Sequence, residues 1–195
     1  MQQSTGPLSA SERRDALLLV RSSLEHFIAN GRMLTPAKPF TGGLALPCGA
    51  FVSLHTRAGD LRGCIGHMQN EGPLGDLLLE LAVAAGTRDS RFPAVTKHEL
   101  PELVYEVSVL TPMVPADPAD VVPGVHGLYI RRGHRSGVLL PQVATEWGWD
   151  REEFLAHTCH KAGLAADAWK QPGTEVLSFT AQVVSEEPES PSGPA

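Results

Sequence analysis

Two short glycine turns constrain this chain more than any other feature. Each separates two apolar runs. Residues 51–56 alternate as a strand, Ala58-Gly59-Asp60 turns, and residues 61–66 return. Later, residues 128–131 alternate, 133–137 turn, and 138–140 return. Connections this short join antiparallel neighbours, because a parallel crossover needs about a dozen residues or more. A helical pattern follows each hairpin. Leu74, Leu77, Leu78, Leu81, Ala82 and Ala85 recur at helical spacing after the first, and Asp150 with Glu153 opens a helix after the second, stopped by Gly163. The expectation is an α+β fold of duplicated hairpin-plus-helix units, a mainly antiparallel sheet flanked by helices in two unequal subdomains.

The remaining elements fit around this plan. Ser9 and Glu12 form a capping box for a helix carrying Leu17, Val20, Leu24, Phe27 and Ile28, which Asn30-Gly31 ends. Residues 34–49 are a Pro- and Gly-rich connection, and 104–110 alternate as a strand. Leu177, Phe179, Ala181 and Val183 alternate as one closing strand. The Pro-rich stretch 112–123 marks the boundary between the subdomains of a single domain spanning 9–185. Residues 1–8 are expected to be flexible, and the Glu/Pro/Ser/Gly tail 186–195 disordered.

Composition narrows the function classes. The 42% hydrophobic fraction excludes a disordered or fibrous protein. With 16 Lys+Arg against 22 Asp+Glu the chain is net acidic, at −6. It has no basic block, so nucleic acid is an unfavoured partner. No apolar run approaches the roughly 20 residues that span a bilayer, and residues 1–10 lack a secretory signal pattern. No membrane association and a cytoplasmic location are therefore expected. An odd count of three cysteines, Cys48, Cys64 and Cys159, argues for reduced thiols.

The densest chemical signal is Leu61-Arg62-Gly63-Cys64-Ile65-Gly66. Two glycines inside one strand call for a bulge or a close approach by backbone or ligand. Arg62 and Cys64 lie two apart, so they share a strand face, and a neighbouring cation favours the reactive thiolate. Cys64 is thus either a small buried hydrophobe or an activated thiol. Asp89 and Arg91 form a second cluster in a Pro-bounded corner with Phe92. They either pair with each other or present Arg91 as an anion clamp. Gln142 leaves a strand end with Glu146 one helical turn further on. The two either tie a loop to the sheet or place a carboxylate to act as a base. Cys64 with His67, and His157 with Cys159 and His160, lack a partner pair at zinc spacing, so no metal site is expected. The phosphate-loop, dinucleotide, HExxH and GxSxG patterns are absent, and the residues indicate no cofactor.

Together the hexapeptide, the corner Asp89-Ser90-Arg91-Phe92-Pro93, the segment Ser108-Val109-Leu110-Thr111-Pro112, and the block from Leu139-Leu140-Pro141-Gln142-Val143 through Lys161-Ala162-Gly163-Leu164 with Trp169 resemble the AMMECR-one domain family. The resemblance spans residues 12–187. Prokaryotic members of that family are called AmmeMemoRadiSam system protein A. It implies an α+β fold of two unequal subdomains, no established reaction, and an association with a Memo-like protein and a radical S-adenosylmethionine enzyme. His67 departs from the small hydroxyl residues common after the hexapeptide.

Two functional expectations follow. In one, Cys64 is a catalytic or modification thiol, with Glu146 or His67 handling protons and Arg62, Gly63, Gly66, Asp89, Arg91 and Gln142 as binding residues. In the other, the hexapeptide strand, Gln142 and the Trp147/Trp149 region present a non-catalytic surface to a protein or small ligand.

Overall fold

A computed structural model describes residues 7–186. The expectations for residues 1–6 and 187–195 lie outside the described residues. The described residues form two compact units, one of residues 7–109 and 182–186, the other of 110–181. Each holds a four-stranded antiparallel sheet.

The first unit opens with α1, Ala10–Asn30. Its capping box is formed as expected: Ser9 and Glu12 satisfy each other's main-chain N–H groups, and Gly31 closes the helix with φ of 68°. β1 (Ala50–Thr56) and β2 (Leu61–His67) form the first hairpin, turned at Gly59, whose φ of 91° only glycine adopts at low cost. α2, Leu74–Thr87, follows. β3, Leu103–Leu110, then pairs with the other side of β1. Ala50, Val52 and Leu54 of β1 and Tyr105, Val107 and Val109 of β3 share one core with Ala16, Val20 and Leu24 of α1 and Leu74, Leu78 and Leu81 of α2. The two helices therefore cover one face of the sheet, and Phe51, Ser53 and His55 point to the other.

The second unit contains β4 (Val114–Pro115), the hairpin of β5 (Gly127–Arg132) and β6 (Arg135–Leu139), the helices α3 (Pro141–Trp147) and α4 (Arg151–Lys161), and β7 (Glu175–Phe179). The hairpin turn is tighter than expected, because Arg132 already pairs with Arg135. Leu128 and Ile130 from the sheet and Phe154, Leu155 and Cys159 from α4 form its core. The capping box of Asp150 and Glu153 is present.

The expected single closing strand is two strands. β7 lies in the sheet ordered β4-β7-β5-β6, whereas β8 (Ala181–Ser185) lies in the sheet ordered β2-β1-β3-β8. Thr180 separates them because Thr111 takes both its main-chain groups: the Thr111 N–H donates to Thr180 O at 2.9 Å, and the Thr180 N–H donates to Thr111 Oγ1 at 2.8 Å. In β7 the buried residues are Val176 and Phe179, and Val183 of β8 is exposed, so the alternation read from Leu177 to Val183 holds at Phe179 but does not describe one buried face.

The described ends of the first unit are held down. Leu8 is buried, and the Gln182 amide bonds both its N–H and its C=O at 2.9 Å.

Candidate functional site

β2 is an edge strand, paired only with β1. Leu54 pairs with Gly63 but His55 pairs with Leu61, which makes Arg62 the extra residue of a β-bulge. The bulge breaks the two-residue alternation on which the expected meeting of Arg62 and Cys64 rested. Arg62 instead donates from Nε to Glu99 Oε1 at 2.8 Å, and its side chain is only 12% exposed. Arg62 first, and the Thr96 N–H after it, hold the Glu99 carboxyl down at about 2.

The two glycines of the hexapeptide are accounted for by packing. A Cβ on Gly63 would overlap the Ala85 carbonyl of α2, and one on Gly66 would enter the Phe51 ring. Helix and aromatic ring thus approach the strand backbone directly, which any side chain would prevent.

Cys64 lies between these approaches. Its main-chain groups face away from β1, where a further strand would pair, and the corner at 89–91 takes both. The Cys64 N–H donates to Asp89 Oδ2 at 2.9 Å, and Cys64 O accepts from Arg91 Nη2 at 3.3 Å. Asp89 is buried and also accepts from Arg91 Nε at 2.9 Å, Arg91 Nη2 at 2.7 Å and the Arg91 N–H at 3.1 Å. The guanidinium and the two main-chain donors hold its carboxyl far below the usual carboxylate range. Of the two expectations for this corner, the structure shows the pairing: Asp89 and Arg91 bond each other, and the pair docks on the hexapeptide backbone.

On the sulfur side, Ser53 Oγ donates to Cys64 Sγ at 3.3 Å, as expected of residues directly opposite on neighbouring strands. The cation that meets this residue is Arg91, through the bond to Cys64 O, and not Arg62, which turns to Glu99. Cys64 is half-buried, whereas Cys48 and Cys159 are buried and their thiol pKa values are raised by burial. Ser53 pairs in turn with Glu106 of β3, so Cys64, Ser53 and Glu106 form one row across the face opposite the helices. Sequence reasoning missed Ser53 and Glu106. Alternation in residues 51–56 and 104–110 gives their face, but only the register aligns them with Cys64.

Gln142 and Glu146 belong to the second unit, both exposed on α3 and one turn apart. His67 is exposed at the end of β2. Among the described residues no group of three or more His, Cys, Asp or Glu side chains is placed to hold a metal ion, and no helix is long and apolar enough to cross a membrane.

Comparison with known proteins agrees with these motifs. A protein of Methanothermobacter thermautotrophicus is 44% identical over 188 residues, covering 93% of this chain and 97% of its own length. One of Thermococcus gammatolerans is 43% identical over 179 residues, covering 87% of each chain. The crystal structure of an uncharacterized protein from Pyrococcus horikoshii matches with a TM-score of 0.80 at 38% identity, covering 97% of each chain. The AMMECR1 family pattern fits residues 17–184, and with relatives this similar along nearly the whole length, the chain belongs to the AMMECR1 family.

Proposed function

We propose that this protein works through the Cys64 thiol, as a cysteine-dependent enzyme or modification partner acting with Memo-like and radical S-adenosylmethionine proteins. One observation carries the reading: the Ser53 hydroxyl donates to the sulfur of the single cysteine that is not buried, and the Arg91 guanidinium bonds the same residue's carbonyl. A hydroxyl donor and a cation each stabilise negative charge on sulfur, the form that attacks. The bulge and the Asp89 clip fix the strand, so the sulfur is held rather than mobile. In the proposed step the sulfur bonds to an electrophilic carbon of the substrate. The thiol proton passes to water, and the leaving group departs with its bonding electrons.

Iodoacetamide alkylation of the native protein tests this, with Cys48 and Cys159 as internal buried controls. Cys64 should react at least roughly tenfold faster than either, and Arg91→Ala should slow it. Equal rates at all three cysteines would remove the reading. Pull-down with the two partner classes tests the second half: Cys64→Ser should leave capture intact while ending turnover. Capture of neither protein would overturn the partnership.

A further inference from the structure

The second unit carries an aromatic stack that the thiol reading does not use. Trp147 stacks on Trp149 with centroids 6.0 Å apart and planes at 17°. Trp149 lies on His157 at 3.8 Å and 8°, and His157 meets His160 edge-on at 5.8 Å. Trp149 leaves α3 just beyond its end, and His157 and His160 sit one turn apart on α4, so the row is fixed to two helices. Trp147 is 70% exposed at the open end of this row. An indole held on one face and open on the other is a preorganised platform, which lowers the entropy lost when a ligand stacks on it.

The surroundings select a cation. Residues 146–153 contain four carboxylates, Glu146, Asp150, Glu152 and Glu153, against one guanidinium, Arg151. Asp150 and Glu153 are used in the α4 capping box, Glu152 faces Lys170, and Arg151 bonds Ala119 O. Glu146, next to Trp147, makes no ion pair or side-chain hydrogen bond among the described residues, and the last turn of α3 has no basic residue to complement its carbonyls. Elsewhere the chain supplies cations to its own rings: Arg21 lies 4.5 Å from the Tyr105 centroid, Arg91 5.5 Å from Phe92 and Lys170 4.6 Å from Trp169. Trp147 has no such cation among the described residues. We propose that Trp147 and Glu146 form a docking point for an arginine side chain of a partner protein, its planar guanidinium stacked on the indole and paired with the carboxylate. Phosphates would meet the acidic surround, so a nucleic acid strand fits poorly.

Isothermal titration of the full chain with acetyl-Gly-Arg-Gly amide, and with its neutral citrulline counterpart, tests the proposal. The arginine peptide should bind in the millimolar range expected of one exposed contact. Trp147→Ala should abolish the signal, and Glu146→Gln, which keeps the shape, should weaken it about fivefold. Trp147 is exposed, so its loss should leave the melting curve unchanged. Equal binding of the citrulline peptide would overturn the proposal, as would an oligothymidine that binds through Trp147 where the arginine peptide does not.

Discussion

The carboxylate of Asp89 accepts the main-chain N–H of Cys64 at 2.9 Å, and this bond fastens the corner after α2 to the edge strand of the first sheet. An edge strand is open to pairing with other chains, and here Asp89 and Arg91 take the donor and acceptor that such pairing would use. The same clip brings the Arg91 guanidinium to the carbonyl of the residue that carries the candidate thiol. Structure and candidate chemistry share one pair of residues.

Asp89→Ala should therefore cost more than Arg91→Ala. The first leaves the Cys64 N–H and the guanidinium without their acceptor, a loss of about 2 to 3 kcal/mol. The second removes an exposed cation, and a pair made by an exposed cation is screened by solvent and adds little. Urea unfolding followed by far-UV circular dichroism should show that order; equal losses would mean the Cys64 N–H finds another partner.

Substituting the hexapeptide glycines should separate backbone from side-chain contact. Gly63→Ala forces a methyl into the Ala85 carbonyl, which α2 holds rigidly, so about 2 to 3 kcal/mol is expected. Gly66→Ala meets only the Phe51 side chain, which clears the methyl by leaving its χ1 rotamer, at about 1 kcal/mol. Thermal melts of both variants check the ranking, and a Gly66 variant less stable than the Gly63 one would refute it.

The sequence made local features readable and left the long-range ones hidden. The capping boxes at Ser9 and Asp150 and the turn at Gly59 depend on residues a few positions apart, and all three are where the pattern placed them. A bulge was one reading of the two hexapeptide glycines, but its place at Arg62 and the turn of that side chain to Glu99, 37 positions away, were hidden. The break at Thr180 was hidden because Thr111 makes it, 69 positions away, inside an unbroken apolar alternation. At the candidate site, Cys64, Asp89 and Arg91 were named from composition and motif. That Arg91 rather than Arg62 bonds Cys64 follows from the bulge and the corner, and the row through Ser53 and Glu106 from strand register.

Acid should reveal the Arg62–Glu99 pair. The folded-state pKa of Glu99 is about 2 against an ordinary 4.5, so the unfolded chain takes up its proton first as pH falls. Its contribution is full above about 4.5 and fades as pH falls toward about 2. Glu99→Gln should be about 1 kcal/mol less stable than the natural chain at pH 7, a figure reduced because the carboxylate is partly exposed. That gap should close between pH 4.5 and 2. Urea midpoints across this range decide it, and a gap still constant at pH 2.5 would show that the ion pair contributes nothing.

Glu186 should behave as part of the first unit's fold. Arg21 donates to it from Nε at 2.9 Å and from Nη2 at 2.7 Å, and the guanidinium lies over the Tyr105 ring. The Tyr105 N–H donates to Glu186 Oε2 at 3.0 Å, and the Glu186 N–H donates to Tyr105 O at the same distance. Glu186→Ala removes the fork's partner and the acceptor of the Tyr105 main-chain N–H, so a loss of about 2 kcal/mol is expected, or roughly 4 to 8 °C in Tm for a chain of this size. All three tryptophans stand in the second unit, so circular dichroism rather than fluorescence is the suitable probe. Arg21→Lys should lose nearly as much, because an ammonium cannot make two parallel bonds and also lie flat on the ring. A lysine variant as stable as the natural chain would reduce the contact to simple charge attraction.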